Sequence, residues 1–319
     1  MRYQSHSPEE KGMVDSNHRL ERLKLPQRLD GKSVLDIGCN EGFFCGIAAS
    51  LGASRIIGID NNPEVIDFAR MRYKDPAIEF RTQTWRELSC GAFDLVLWTS
   101  AMHYELDPLY ILRQISQQLN NDAVFVLECG IASGVHGKEM VPVQRHDGTF
   151  WYPTMALLED HLLSDFDFRM VSHGELVGLD PVPRYVYHCK RRKPILILLR
   201  GKPYAGKSTA ARVLRPSATK IIGLDTFTYR ILTAKYHHTP FEKHVKENRK
   251  HDYLTYFYEG IDDAGFTQDY VEMIANGISS TDRLVVVEGY MTDQQSKMLR
   301  SVLADRVTFW DNVPVETTT

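Results

Sequence analysis

No stretch of this sequence approaches the ~18–20 consecutive apolar residues of a membrane-crossing helix, so any membrane contact is expected to be peripheral. The opening MRYQSHSPEEKG is polar and lacks the apolar core of a secretory leader. Cysteine is scarce: Cys39, Cys45, Cys90, Cys129 and Cys189 are five in number, and no two stand in a CxxC spacing. An odd count without that spacing argues against a disulfide framework or a zinc site, and for reduced thiols in a cytoplasmic protein. A basic excess is also missing. Lys and Arg total 38 against 41 Asp and Glu, a formal charge of −3. That balance argues against DNA as a partner, because nucleic acid normally requires a basic face. What is present is an ordinary globular composition, 43% apolar and 25% charged. The 319 residues suffice for two domains of about 100–200 residues each.

The first half alternates strand and helix signals. SVLDI at 33–37 is a short apolar run of the kind a buried parallel strand requires. GCNEG follows it, and FFCGIAASLG then reads as a helix closed by Gly52. IIGID at 56–60 is a second strand ending in an acid. Pro63 opens the helix PEVIDFARMRY, where the missing N–H is tolerated in the first turn. IEF at 78–80, FDLVLW at 93–98 and AVFVLE at 123–128 supply further strands, with DPLYILRQISQQL as an amphipathic helix before the last. The pattern predicts a parallel sheet with helices on both faces, its ligand beyond the carboxyl ends of the strands. A dinucleotide fold would require G-x-G-x-x-G at the first turn. This chain offers Asp36-x-Gly38-x-x-x-Gly42, with Asp60 ending the next strand.

That pattern resembles class I S-adenosylmethionine (SAM) methyltransferases. The resemblance implies that Gly38, Cys39, Asn40 and Gly42 form the loop under the methionine part of SAM. Asp60 would accept the ribose hydroxyls with Asn61 beside it, and Asp36 would orient the loop or reach the methionine amino group, directly or through water. The family's adenine landmark falls in TQTWRE at 82–87, so Thr84 or Trp85 is expected at that place. WTSAMHYE at 98–105 occupies the loop that faces the methyl group, which makes His103 a candidate catalytic residue, as a base or as a positioning group. SNHRLERL at 16–23 is placed like a helix covering SAM, so Arg19 is expected to meet the ligand's carboxylate or an acceptor phosphate. PVPRYVYHCKR reads as a last strand, with Arg184 at the sheet end where substrate is met and Glu128 closing the fifth strand toward the cleft. For Arg19, Arg184 and Glu128 a purely structural role stays open.

After Pro194 the pattern restarts. ILILLR is a buried strand, and GKPYAGKST at 201–209 fits G-x-x-x-x-G-K-[ST], a loop whose backbone N–H groups ring nucleotide phosphates. Gly201, Gly206, Lys207, Ser208 and Thr209 are the expected ATP contacts. Lys207 would neutralise the outer phosphates and Ser208 would hold Mg2+. STAARVL would follow as a helix. KIIGLD at 220–225 and RLVVVEG at 283–289 read as strands ending in Asp225 and Glu288, and DRVTFWDN supplies one more. This half is similar to P-loop small-molecule kinases such as those for shikimate. The resemblance implies Asp225 as general base and Glu288 as the acid supporting Mg2+. The segment between them is the expected acceptor site, with Arg230 and Arg249 for an anion and Tyr253 or Tyr256 for stacking on a sugar. No RxxxR lid follows Trp310 before VPVETTT. The domain is therefore expected to be C-terminally truncated, or to have its lid replaced by Arg300 or Arg306.

The expected organisation is α/β throughout: two tandem doubly wound three-layer domains, a SAM-methyltransferase one at 1–192 and a P-loop kinase-like one at 193–319. The order of the halves, with SNHRL near the start and PVPR before the second, resembles bacterial bifunctional kinase–methyltransferase terminators of O-antigen chains. What that implies is a glycan or sugar-phosphate substrate and three cofactors: SAM, ATP and Mg2+. It also implies cytoplasmic work, either free or peripheral at the inner face of the membrane beside a polysaccharide synthesis complex, with a homo-oligomer open. Two alternatives stand beside it: a tandem enzyme on RNA ends or a small metabolite, and a methyltransferase carrying a non-catalytic nucleotide-binding scaffold.

Overall fold

The apolar runs of the first half all become strands of one sheet. In the computed structural model, residues 4–5, 12, 15–134, 137–145, 147–176, 181–249, 254–279 and 282–310 are described. The chain divides into two compact units, Met1–Arg192 and Lys193–Thr319. The first unit contains β1 (Ser33–Ile37), β2 (Arg55–Asp60), β3 (Ile78–Thr82), β4 (Phe93–Thr99), β5 (Leu119–Gly130), β6 (Met140–Arg145), β7 (Gly148–Pro153), β8 (Phe166–Glu175) and β9 (Arg184–Arg191). Seven of them form a sheet in the order β3-β2-β1-β4-β5-β9-β8, and β6 pairs with β7 in a separate hairpin.

β1 to β5 run parallel, whereas β9 is antiparallel to β5 and β8 antiparallel to β9. The sheet is thus mixed rather than wholly parallel. β8 carried no usable signal because FDFRMVSHGE is an edge strand, half-buried and rich in polar residues, with two register shifts against β9.

Helices α1 (Ser16–Leu23), α2 (Phe43–Ser50) and α3 (Pro63–Arg72) cover one face. Their Leu23, Phe44, Ala48, Ile66 and Ala69 pack on Val34, Ile56, Leu95, Leu97 and Val186. Helix α4 (Pro108–Gln117) and the stretch from α5 (Met155–Leu157) to Leu162 cover the other face. There Ile111, Leu112, Ile115 and Leu158 meet Leu35, Ile57, Val96, Phe125 and Tyr187. Enclosing each of the larger of these, the Leu, Ile, Val and Phe side chains, contributes roughly 1.5–3 kcal/mol. The result is a three-layer Rossmann-like α/β sandwich. Proline and a polar cap start both α3 and α4: Asn62 accepts the Glu64 N–H, and Asp107 accepts the Tyr110 N–H.

Gly42 starts α2 with φ +83°, and a Cβ there would stand 2.7 Å from the Phe80 ring. Gly42→Ala is therefore expected to destabilise this unit by about 1–3 kcal/mol, through backbone strain and overpacking. A urea midpoint equal to that of the wild type would refute the argument.

The second unit holds β10 (Ile195–Arg200), β11 (Lys220–Gly223), β12 (Leu284–Gly289) and β13 (Thr308–Trp310) in an all-parallel sheet ordered β11-β12-β10-β13. Helix α6 (Lys207–Leu214) covers one face through Ala211 and Leu214. The other face is covered by α7 (Leu224–Thr233), α8 (Pro240–Asn248), α9 (Leu254–Asp263), α10 (Thr267–Asn276) and α11 (Asp293–Leu303). KIIGLD is not a strand to its end. It turns helical at Leu224, which is fully buried, so Asp225 lies in the first turn of α7, where a carboxylate suits the helix dipole. Among the described residues no helix is long and apolar enough to cross a membrane.

Candidate functional site

The carboxyl ends of β1, β2 and β4 open into a cavity of about 420 Å³. Its floor is the turn from β1 to α2, which bends through positive φ at Gly38 (+73°), Asn40 (+50°) and Gly42 (+83°). Gly38 and Cys39 anchor the turn by donating to the Ile59 carbonyl at 2.8 and 2.9 Å. Asp60 fixes it from the next strand. Its Oδ2 accepts the Asn40 N–H and its Oδ1 the Asn62 N–H, each at 3.0 Å.

Six expected cofactor residues line the cavity: Arg19, Gly38, Asn40, Asp60, Asn61 and Trp85. Trp85 is held as a wall because its Nε1–H donates to Glu105 at 2.9 Å. A Cβ on Gly38 would project to 3.6 Å from that ring and 3.5 Å from Ala101, so glycine keeps the floor open. These features fit an adenosyl ligand: an acid for ribose hydroxyls, an aromatic wall, and backbone exposed at a glycine.

Other expected contacts lie elsewhere. Thr84 is exposed, and its hydroxyl caps the turn Trp85–Glu87 by accepting the Arg86 N–H. Cys39 and Gly42 belong to the turn but do not line the cavity. Asp36 is fully buried and does not line the cavity. Burial pushes its carboxyl up to about 7, against the pull of the Cys45 thiol donating at 3.5 Å and of Arg19. The Cys45 and Cys39 sulfurs are packed over Gly58, 2.8 and 3.0 Å from where a Cβ would stand. The expected direct reach of Asp36 to a ligand is corrected accordingly: thiols and β1 enclose it, although its Oδ1 has no hydrogen-bond partner among the described residues.

Gln4 was not legible beforehand. It lines the cavity, and its Oε1 accepts the first N–H of α2, from Phe43, at 3.1 Å. A lone glutamine near the start of a polar segment carries no spacing signal.

At the neighbouring strand end Glu128 is wholly enclosed. Its Oε2 accepts from Arg19 Nη2 at 2.7 Å and from Ser100 Oγ at 2.6 Å, and its Oε1 from Arg22 Nη1 at 3.4 Å. Burial would raise its pKa, but Arg19, Arg184 and Ser100 outweigh that and hold it down to about 2. Arg184 is buried at the start of β9, and its carbonyl accepts from Arg22 at 2.7 Å. Neither Arg184 nor His103 lines the cavity.

His103 is not an available base. Its Nε2 accepts from Arg145 Nη1 at 2.9 Å, and its ring stacks on Tyr152 at 5.2 Å. Burial, with Arg184 and Arg145 nearby, pushes its pKa down to about 3. The imidazole is neutral, with its proton on Nδ1, because a guanidinium only donates.

In the second unit the turn Gly201–Gly206 joins β10 to α6, and Gly206 (φ +78°) starts the helix with no atom within 4 Å of where its Cβ would be. Lys207 Nζ donates to the Lys202 carbonyl at 2.6 Å. Partial burial lowers its pKa, while Asp225 and Glu288 nearby act to raise it. Ser208 Oγ donates to Glu288 Oε2 at 2.9 Å, and Thr209 is exposed. Asp225 is exposed, and its Oδ1 accepts from the Tyr258 hydroxyl at 2.9 Å. An open glycine turn at a helix start, with Lys207, Ser208 and Glu288 converging, is a donor set suited to phosphates and a divalent cation. No group of three or more His, Cys, Asp or Glu side chains among the described residues is placed to hold a metal without such a ligand.

One of the expected acceptor arginines is reassigned. Arg249 is buried and donates to Thr228 Oγ1 at 2.9 Å and to the Asp225 carbonyl at 3.0 Å, so it braces α7. Arg306 donates to the Ala275 and Ile278 carbonyls at 3.0 Å each, closing the end of α10, and Arg300 stacks over Phe309. Neither is placed as a lid. Arg230 is exposed beside a 240 Å³ cavity at the β11 edge, and Tyr256 is exposed. Tyr253 lies outside the described residues.

Residues 29–143 match a protein-family model described as a methyltransferase domain. The tRNA U34 carboxymethyltransferase of Alcanivorax borkumensis is 28% identical over 140 residues, 41% of this chain and 43% of that protein. The ubiquinone biosynthesis O-methyltransferase of Xanthomonas campestris pv. campestris is 28% identical over 145 residues, 42% of this chain and 60% of that protein. The chain thus spans about half the length of these curated relatives. A SAM-dependent methyltransferase from Mesorhizobium loti superposes on 55% of this chain and 98% of its own, with 19% identity and a TM-score of 0.45.

Proposed function

We propose that residues 29–143, which match a methyltransferase-domain model, form a class I SAM-dependent methyltransferase domain and that the first unit methylates an oxygen of a phosphorylated glycan end. The observation that carries this reading is the cavity in which Asp60, Gly38, Trp85 and Arg19 converge at the carboxyl ends of the sheet. SAM supplies an electrophilic methyl on a sulfonium. Asp60 would accept the ribose hydroxyls, Trp85 would wall the adenosine, and the Gly38 turn would pass under the methionine moiety. The loop from Thr99 to Tyr104 would face the acceptor. Holding the two reactants in line accounts for much of such a catalyst's advantage.

The second unit is read as a P-loop kinase-like module that makes the phosphate to be methylated. ATP with Mg2+ supplies the phosphoryl group. The backbone of residues 201–206 and Lys207 would hold the phosphates, Ser208 and Glu288 would serve the cation, and Asp225, steered by Tyr258, would take the acceptor proton. Phosphorylation followed by methylation would leave a glycan end that no longer grows. That product explains why one chain carries both sites.

Two measurements test the reading. Labelled SAM is offered with a sugar and with its phosphate monoester. Methyl transfer to the phosphate alone supports the scheme, and transfer to the hydroxyl alone defeats it. Lys207→Ala is expected to weaken ATP binding by about 10–100-fold, the worth of one charge-assisted hydrogen bond. In calorimetry it should leave S-adenosylhomocysteine affinity untouched. Equal ATP affinity in the variant would remove the P-loop assignment.

A further inference from the structure

The β6–β7 hairpin leaves the first sheet after β5 and packs on the loop that faces the acceptor. Phe150 meets Tyr104 edge-on at 5.1 Å, and Tyr104 lines the cavity. Tyr152 stacks on His103. Arg145, at the end of β6, lies over the Phe150 ring at 4.9 Å and donates to His103 Nε2 at 2.9 Å and to the Tyr152 hydroxyl at 3.3 Å. Two rings and an imidazole thus hold one guanidinium in place beside the cavity, with Tyr104 packed on His103 and Phe150. They stand across β1 from Asp60, because the sheet runs β2-β1-β4.

The carboxylate beside Arg145 is part-exposed. Asp147 is 38% exposed at its side chain. Its Oδ1 is 3.2 Å from Arg145 Nε but is not aligned as a hydrogen bond, and the Nη2 contact to Oδ2 is long, 3.4 Å. Further fixed charges stand around this wall. Arg184 on β9 and Arg19 and Arg22 on α1 share the enclosed Glu128 of β5, and Arg22 also meets the half-exposed Glu175 of β8. Neither His103 nor Glu128 is free to act as a base at this wall. His103 is occupied by Arg145, and both oxygens of Glu128 accept hydrogen bonds.

We propose that the β6–β7 hairpin reads the acceptor, that Arg145 takes its phosphate oxyanion in the place now held by Asp147, and that His103 is a neutral positioning residue for that arginine. The proposal rests on the SAM reading of the neighbouring cavity. The chemistry balances without a base. One lone pair of a phosphate oxygen forms the new C–O bond, the C–S bond breaks with its pair going to sulfur, and no proton moves. The sulfonium becomes a neutral thioether, and the acceptor loses one negative charge.

The test titrates inorganic phosphate into the full chain, with and without S-adenosylhomocysteine, so that anion binding and cofactor binding fail separately. Arg145→Gln is expected to weaken phosphate by at least about tenfold, as loss of a charge-assisted bond requires. Asp147→Asn is expected to strengthen it, because the competing carboxylate is gone. Homocysteine-product affinity should stay within about twofold in both, since neither residue lines the cavity. A merely structural hairpin would weaken binding in both variants alike. Wild-type protein that takes no phosphate, variants that shift in the same direction, or a preference for acetate over phosphate would each overturn the proposal. Should Arg145→Gln fail to fold, nitrogen NMR of the wild-type His103 ring decides. A neutral Nδ1–H imidazole at pH 6, shifted by phosphate, is expected, and a ring that is charged there or blind to phosphate overturns it.

Discussion

Asp60→Ala is expected to lower S-adenosylhomocysteine affinity by about 100-fold or more, the combined worth of two hydrogen bonds to a charged acceptor. Two losses act together. The ribose hydroxyls would lose their carboxylate. The glycine turn would lose the two bonds at 3.0 Å that tie Asn40 and Asn62 to the end of β2. Asn40 holds a left-handed conformation at φ +50°, which is uncommon outside glycine and needs such external support. Asp60→Asn separates the two effects. It keeps the shape but loses the charge, and can turn a donating amide toward a backbone N–H, so an intermediate loss is expected. Calorimetry on the intact chain makes the comparison, with ATP affinity as the control. An alanine variant within about threefold of the wild type would mean that the ligand does not sit on this carboxylate.

The parts of this site that were legible in the sequence are those written as local spacing. Asp36, Gly38, Gly42 and Asp60 fall at fixed distances from buried strands, and the strands are marked by continuous apolar runs. The turn and its acid therefore stood out before any tertiary contact was known, as did the Gly201–Ser208 turn. What stayed hidden depends on burial and on distant partners. Asp36 reads as a ligand contact until Cys45, Cys39 and Gly58 are seen to wall it in. Arg249 reads as an anion site until its guanidinium is found on Thr228 and the Asp225 carbonyl. His103 reads as a base or a positioning group because its loop position is informative. Its actual state follows from Arg145, 42 residues away on a hairpin whose strands, MVPVQR and GTFWYP, are short, part-exposed and interrupted by proline. Gln4 and Asp225 fit the same account. The first acts by reaching across the fold, and the second was placed on a strand where a buried leucine had already begun a helix.

Replacing Glu128 is expected to have the largest effect on stability. The carboxylate is fully enclosed, and it compensates Arg19 and Arg22 with Arg184 close by. Glu128→Ala would leave those guanidiniums buried against one another, a change that typically costs about 3–5 kcal/mol. Glu128→Gln keeps the volume and isolates the charge. Its penalty follows from the pKa, which falls from 4.5 in the unfolded chain to about 2 in the folded one. A depressed carboxyl stabilises the fold above its unfolded value, and loses that contribution as pH falls through its folded value. The charge is therefore worth about 3 kcal/mol at neutral pH. The gap between wild type and Glu128→Gln should be full above pH 4.5 and close as pH falls to about 2. Urea midpoints at neutral pH and near pH 3 read it directly. A gap that does not shrink in acid would assign the loss to shape rather than charge. The same variant should also weaken S-adenosylhomocysteine, because Arg19 lines the cavity only while Glu128 and Ser100 hold it there. Stability lost with ligand affinity intact would show that α1 keeps Arg19 in place without its carboxylate.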